Sequence, residues 1–390
     1  MVTYRSSRAA ALYKLLRQTA EHGEASSQPS STSRPKLTEL TLNISEACNI
    51  ACSYCFANEG LFGNPTRSFM DEETLQFALT QARNAYSEIQ TIKLFGGEPM
   101  MNHQLISLAA SLVDDLWAES PTKPRLGLVT NLTFLPRPIL ELISSGKLAI
   151  TVSLDGTYQT HDLTRLARNG RGTFRLTQKS LEKLREIGYS PAVEITYSVE
   201  HFESNLAPID LHRQVERLLP GSLIILNPAT GLSDQNEFYS ALRDLAFKYT
   251  SSLVTEPSPA GISAIKSLLN TITSRPSSEG YCAIGKNTLS IASDGSVWPC
   301  YRTMEFAETQ LLSSPERQRL ESIPLNPVNF SKENNSECQS CSIRQICRSC
   351  VSGYSGGALI PEFESCGWTI GLYEGILDTI NSDFLQEIHS

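Results

Sequence analysis

A chain of 390 residues with 40% hydrophobic and 19% charged side chains can bury a sizeable core and has too little charge for disorder. Its formal charge of −8 at pH 7 sets it against nucleic acid or an anionic membrane as the main partner, because both recruit clustered lysine and arginine. No apolar run approaches the roughly 18 residues that cross a bilayer, and Lys14 and Arg17 interrupt the stretch a secretory leader would need, while its arginine and serine content leaves a transit-peptide reading open. The expectation is a folded cytoplasmic protein whose partners are small molecules, peptides or other proteins.

Residues 8–22 have the period of an amphipathic helix and 25–35, ASSQPSSTSRP, read as a linker, so 1–36 form an N-terminal helix and linker. A strand follows at 36–45, then a cysteine-dense loop, then a helical pattern at 71–88 with an acidic first turn. Short apolar strands recur at 91–95, 125–130, 148–154, 192–199 and 222–227, with helical segments near 102–118, 135–146, 174–187 and 208–219. Strands alternating with helices imply a parallel sheet. About six such units predict an α/β fold, a partial (β/α)6 TIM-like barrel over 37–232, with reactive groups at the C-terminal strand ends. Residues 233–279 read as a helical connector, and 280–390 as a cysteine-rich domain that needs metal to hold it together.

The chain has ten cysteines, three of them in CNIACSYC at 48–55. Disulfides would call for an exported, usually small protein, and neither feature is present. Tetrahedral zinc wants a fourth nearby cysteine or histidine, which Cys48, Cys52 and Cys55 lack. Three thiolates on one loop leave one corner of a four-iron cube free for substrate or cofactor.

That spacing, with Tyr54 just before the last cysteine and the loop placed after the first strand, resembles the radical S-adenosylmethionine (SAM) superfamily. The resemblance implies a [4Fe-4S] cluster whose free iron chelates SAM and reductively cleaves it to a 5′-deoxyadenosyl radical, which abstracts a hydrogen atom from substrate. It also implies an external one-electron reductant. LFGGEP at 94–99 is similar to the motif in which backbone at Gly96, Gly97 and Glu98 receives the methionyl ammonium, glycine permitting close approach. VTNLT sets Asn131 at the end of the third strand, and VSLDGT sets Ser153 and Asp155 at the end of the fourth, like residues that contact SAM in this family. Arg165 would then pair with the SAM carboxylate through a two-pronged contact.

The remaining cysteines resemble a SPASM domain, the C-terminal module of peptide-modifying radical SAM enzymes that holds two auxiliary [4Fe-4S] clusters. Carried over, Cys338, Cys341, Cys347 and Cys366 would ligate one, and Cys282, Cys300 and Cys350 the other, whose fourth corner has no evident ligand. Cys347 and Cys350 are separated by two residues where the family pattern has three. Zinc held by the two C-x2-C pairs, and a non-catalytic scaffold or electron-transfer role, stay as alternatives. The family implies a ribosomally made precursor peptide as substrate, crosslinked or spliced. A tyramine-excising splicease is one specific candidate, and sulfatase-maturase-like oxidation is weakened because Tyr301 stands where those enzymes carry aspartate. Tyr301 would instead be a redox or proton relay. The roughly 36 residues before the first strand are too few for a winged-helix module, so a separate leader-peptide recognition protein is expected, with the helix at 8–22 as an alternative docking element or simply packed on the barrel.

Overall fold

The computed structural model describes residues 34–230, 236–273, 282, 284, 287–313, 320, 331–332, 335–347, 350–362 and 366–380. The helix expected at 8–22 and most of the linker after it lie outside these residues. Strands in chain order are β1 (Lys36–Glu46), β2 (Ile50–Cys52), β3 (Ser68–Phe69), β4 (Glu88–Gly96), β5 (Arg125–Thr130), β6 (Ala149–Ser153), β7 (Arg165–Ala167), β8 (Ala192–Tyr197) and β9 (Ile224–Pro228). β10 (Thr288–Ile291), β11 (Val297–Trp298), β12 (Val351–Ser355) and β13 (Ala358–Pro361) follow. The longer helices are α1 (Glu72–Ala85), α2 (His103–Leu116), α3 (Arg137–Ser144), α4 (Phe174–Glu186), α5 (Pro208–Leu218), α6 (Asn236–Thr255), α7 (Pro259–Thr273) and α8 (Cys366–Thr379).

β1, β4, β5, β6, β8 and β9 pair in parallel, in that order, with α1 to α5 as the five crossovers. This is the open six-unit α/β barrel, and its reactive edge is the set of C-terminal strand ends. The sheet also runs past the barrel. β10 pairs in parallel with β1, from Glu39 opposite Thr288 to Leu42 opposite Ile291, and β11 adds antiparallel to β10. Residues assigned by sequence to the C-terminal domain therefore extend the barrel sheet. β1 becomes an interior strand, and every residue from Leu40 to Glu46 is buried, as both-face coverage demands.

Asp71 caps α1, its Oδ1 accepting the Thr74 N–H at 2.7 Å, with Glu72 and Glu73 at the positive end of the helix dipole. Leu75, Ala78, Leu79, Ala82 and Ala85 recur at helical spacing and are buried. Each such leucine contributes roughly 1.5–3 kcal/mol. The connector read as one helical stretch is two helices, broken at Pro257 and Pro259.

α8 begins at Cys366 and lies against α6. A Cβ on Gly371 would stand 2.2 Å from the Arg243 carbonyl oxygen, and one on Gly375 2.5 Å from that of Phe247, so only glycine lets the two backbones meet. Arg243 donates from Nε to Glu374 Oε2 at 2.8 Å and from Nη2 to Oε1 at 2.5 Å. These contacts fasten the helix that carries Cys366 and Trp368. No helix among the described residues is long and apolar enough to cross a membrane.

Candidate active site

The C-terminal strand ends open on a cavity of about 440 Å³. On β8, Val193, Ile195 and Tyr197 enter the core, while Glu194 and Thr196 line the cavity, as the two-residue period of a strand requires. Val129 and Thr130 of β5, Ser153 of β6 and Asn227 of β9 line it too.

Cys48, Cys52 and Cys55 all reach this cavity. Antiparallel pairing of β2 with β7 sets Cys52 opposite Arg165. Asn131 tethers the loop from β5: its Nδ2 donates to Asn49 Oδ1 at 2.9 Å and lies 3.8 Å from Cys48 Sγ. Its Oδ1 accepts from Thr133 N and Oγ1 at 3.0 and 2.8 Å. Burial pushes the Cys48 thiol up to about 12, with Glu98 adding to the rise, and the Cys52 thiol up to about 11 against the opposing pull of Arg165. Thiols that resist ionising together fit a positively charged iron group, whose own charge makes thiolates of them.

Gly96 and Gly97 also line the cavity. Gly96 has φ +141°, and a Cβ there would stand 2.1 Å from the Ser45 carbonyl oxygen; on Gly97 it would stand 2.3 Å from that of Ala47. The Gly97 and Glu98 N–H groups donate to those two carbonyls, each at 2.8 Å. The close approach that needs glycine is thus between β4 and the cysteine loop. Gly60, which sequence reading passed over, has φ +86° and abuts Gly97, a Cβ on it lying 2.5 Å from the Gly97 Cα. The Glu98 side chain turns inward and is fully buried. Its Oε1 accepts from Met100 N and Thr130 Oγ1 at 3.0 and 2.8 Å, and its Oε2 from Asn131 N at 2.7 Å. Burial pushes its acid up to about 7 against those three bonds. Glu98 braces Asn131 from behind the wall.

Asp155 is fully buried and joins three elements. Its Oδ2 accepts from Arg165 Nε at 2.7 Å and Tyr54 Oη at 2.5 Å, and its Oδ1 from Thr196 N at 2.8 Å. Burial alone would raise its carboxyl, but Arg165, then His161 and the Tyr54 bond, hold it below the ordinary value. Arg165 sits 5.4 Å from the Tyr54 ring centroid and points Nη1 at Cys52 Sγ, 3.8 Å away. Tyr54 and Arg165 face the cavity, and Asp155 stands behind them and orients both.

The C-terminal cysteines fall into two sets. Burial pushes Cys300 up to about 12, with Cys350 and Cys282 in its field, and Cys366 up to about 12, with Cys347, Cys338 and Cys341 in its field. Yet among the described residues no three His, Cys, Asp or Glu side chains converge where a single metal ion would sit. Lys332, missed from sequence, is buried beside the second set and donates from Nζ to the Arg344 and Cys347 carbonyls at 2.5 and 2.7 Å.

Tyr301 and Cys350 belong to the same cavity wall as the N-terminal loop. The Tyr301 ring is 4.5 Å from that of Phe95, with Lys93 Nζ 4.7 Å from its centroid. Burial, then the charge of Cys300, push its phenol well above the ordinary value, so Tyr301 keeps its proton and is no ground-state base. The carboxylates on the wall are Glu194 and Glu362. Glu362 accepts from Arg302 and, at 2.9 Å, from Thr230 Oγ1, whereas Glu194 accepts from Asn227 Nδ2 at a long 3.3 Å. Sequence reading missed Glu194; its signal is a lone carboxylate within the apolar strand AVEITY.

A cysteine loop after the first strand of an open parallel barrel thus shares one cavity with the C-terminal strand ends. Residues 42–204 match the sequence model of the Radical SAM superfamily, a family whose cofactors are SAM and a [4Fe-4S] cluster. It is 29% identical to molybdenum cofactor biosynthesis protein 1 of Bos taurus over 39% of this chain and 22% of that protein. It spans less than half the length of the first curated relatives it matches. Among solved structures, native anSMEcpe with bound AdoMet has a TM-score of 0.69 at 17% identity, covering 90% of this chain and 99% of that one. Streptococcus suis SuiB bound to precursor peptide SuiA has a TM-score of 0.57 at 14% identity, covering 83% and 75%. At those identities the likeness is one of fold, and it extends into the C-terminal cysteine-rich region.

Proposed function

We propose that this radical SAM enzyme modifies a ribosomally made precursor peptide, removing a hydrogen atom from one residue on the way to a crosslink or a backbone excision. One observation carries the reading: the N-terminal cysteine loop and the C-terminal wall of Tyr301 and Cys350 open on a single cavity. The fold likeness to SuiB, solved with a precursor peptide, supports the substrate class.

SAM and its four-iron cluster, when bound, supply a one-electron start to hydrogen-atom abstraction. The chain does the rest. Cys48, Cys52 and Cys55 hold the iron, Arg165 takes the SAM carboxylate with Asp155 fixing its angle, and Gly96, Gly97 and Ser153 complete the bed. Glu194 is the proton acceptor for the oxidised substrate. Tyr301 lies between the cavity and Cys300, on the way to the auxiliary clusters held by the SPASM-type sets Cys282, Cys300, Cys350 and Cys338, Cys341, Cys347, Cys366. Tyramine excision, with a separate leader-recognition protein, is the specific form of this reaction we would test first.

The test is mass spectrometry of a short precursor peptide encoded beside this chain, co-expressed with it and any small neighbouring protein. A loss matching tyramine identifies splicing, and a loss of two hydrogens identifies crosslinking. An unmodified peptide, with 5′-deoxyadenosine still formed from SAM, would refute the peptide assignment and leave the enzyme class standing.

A further inference from the structure

Lys332 is 1% exposed, and a lysine is almost never buried that deeply without a partner for its charge. Its Nζ donates to the Arg344 and Cys347 carbonyls at 2.5 and 2.7 Å. Both carbonyls belong to the turn CSIRQIC at 341–347, in which the Arg344 N–H bonds the Cys341 carbonyl at 3.2 Å and the Cys347 N–H bonds the Ile343 carbonyl at 2.9 Å. Ile343 and Ile346, both buried, pin this turn to the core. On the other side, Asn335 Oδ1 accepts from the Glu337 and Cys338 N–H groups at 2.9 and 3.1 Å, and the Asn335 backbone N–H reaches the Lys332 carbonyl at 3.3 Å. Lys332 is thus tied to Cys338 through its backbone and to Cys347 through its side chain.

Two carbonyls satisfy donors of the ammonium without neutralising it. Burial disfavours the charged lysine, whereas Cys347, then Cys338, favour it as thiolates, with Arg344 opposing them and Cys341 adding to them. Cys341 lies in the field of two cations, Lys332 and Arg243, and Arg243 is already matched by Glu374. Free cysteines near neutral pH are mostly uncharged thiols. Four thiolates on an iron–sulfur core, or on one zinc ion, instead leave a filled site with net negative charge. A buried cation beside that site gains most from its filling, because charges act strongly in a low-dielectric interior.

We propose that Lys332 is the counter-charge of the site formed by Cys338, Cys341, Cys347 and Cys366, a positioning residue that retains an anionic four-thiolate metal group there. Where that group is iron–sulfur, the same charge raises its reduction potential. The proposal rests on reading those four cysteines as one site, and it adds a residue that lies outside the cysteine pattern. No covalent bond forms at Lys332; it acts by charge and by fixing the two carbonyls.

The experiment uses the full chain in a Cys52→Ala/Cys300→Ala background, so that metal fills only the set beside Lys332. Lys332→Gln keeps an N–H donor and removes the charge; Lys332→Arg keeps the charge. Each protein is loaded without oxygen, with iron and sulfide in one arm and Zn²⁺ alone in the other, and metal loss to a chelator is timed. Urea midpoints of the metal-free proteins and the potential of the iron signal by electron paramagnetic resonance complete the set. Lys332→Gln should keep a metal-free midpoint near that of the background, lose metal about tenfold faster or more, and shift the potential to more negative values; Lys332→Arg should stay close to the background. Metal retention and potential unchanged in Lys332→Gln overturn the counter-charge. So does a metal-free midpoint that falls in both variants, which would leave Lys332 as a cap for two carbonyls. Faster loss in the zinc arm with no iron uptake would overturn the iron–sulfur form alone, and a background that takes up neither metal would overturn the four-cysteine site itself.

Discussion

The Arg165 guanidinium bonds Asp155 Oδ2 through Nε at 2.7 Å and reaches within 3.8 Å of Cys52 Sγ, with both charged side chains buried. The pair ties the end of β6 to the cysteine loop, so the arginine that faces the cavity is held by a carboxylate that does not. Removing one partner of such a pair leaves a buried charge uncompensated.

Asp155→Asn should therefore lower stability by roughly 3–5 kcal/mol and, by loosening Arg165, weaken SAM binding. Urea unfolding of the apo chain and calorimetric titration of the reconstituted one check the two effects separately. A variant with wild-type values in both would remove Asp155 from its positioning role.

Glu194→Gln should leave 5′-deoxyadenosine formation intact while slowing the modified-peptide product by about a hundredfold or more, the usual contribution of a general base. If product forms at the wild-type rate, the proton goes elsewhere and Glu194 is only part of the wall.

Cys341→Ala should lose the iron of the Cys338, Cys341, Cys347 and Cys366 set and the peptide product, yet still cleave SAM. Cys52→Ala should stop SAM cleavage and retain the C-terminal iron. Iron counting by Mössbauer spectroscopy, paired with 5′-deoxyadenosine assay, separates the cases. Identical iron loss in the two variants would argue against independent cysteine sets.

Gly371→Ala puts a methyl 2.2 Å from the Arg243 carbonyl oxygen and should cost about 1–3 kcal/mol, as overpacking does. The stretch of chain displaced is the one that presents Cys366, so iron at the second C-terminal set should fall as well. A urea midpoint and iron content equal to wild type would mean that α6 and α8 pack less tightly than their backbones indicate.

Acid should destabilise the apo chain below about pH 6.5. Burial, then the charge of Arg165, push the His161 imidazole down to about 3 from an ordinary 6.5. Between those values the unfolded chain takes up a proton that the folded one refuses. Stability present above pH 6.5 therefore falls with pH, by up to about 1.4 kcal/mol per unit for this group. Urea midpoints at pH 7.5 and 5.5 measure the slope, and His161→Gln should flatten it; an unaltered slope in that variant would assign the acid sensitivity to other groups.

The position of the cysteine loop beside the strand ends was legible because thiol spacing is a local property: CNIACSYC needs no distant residue to be read. The same holds for β5, where RLGLVT carries its apolar pattern within six residues, and for α4, whose buried positions recur at helical spacing. Sequence also marked Arg165, Asn131 and Asp155 as belonging to the site. It did not tell a residue on the wall from one behind it. Asp155 and Glu98 both turned out to be buried and to act on neighbours, Arg165 in one case and Asn131 in the other.

By itself the sequence determined the alternating α/β order, the thiol spacing and the glycines at the end of β4, since each depends on residues a few positions apart. Tertiary structure alone decided that β10 extends the barrel at β1, that Tyr301 and Cys350 share a cavity with Cys48, and that Glu194 faces it. Those outcomes rest on contacts between segments far apart in the chain, where burial and hydrogen bonding choose one pairing among many that every local window permits.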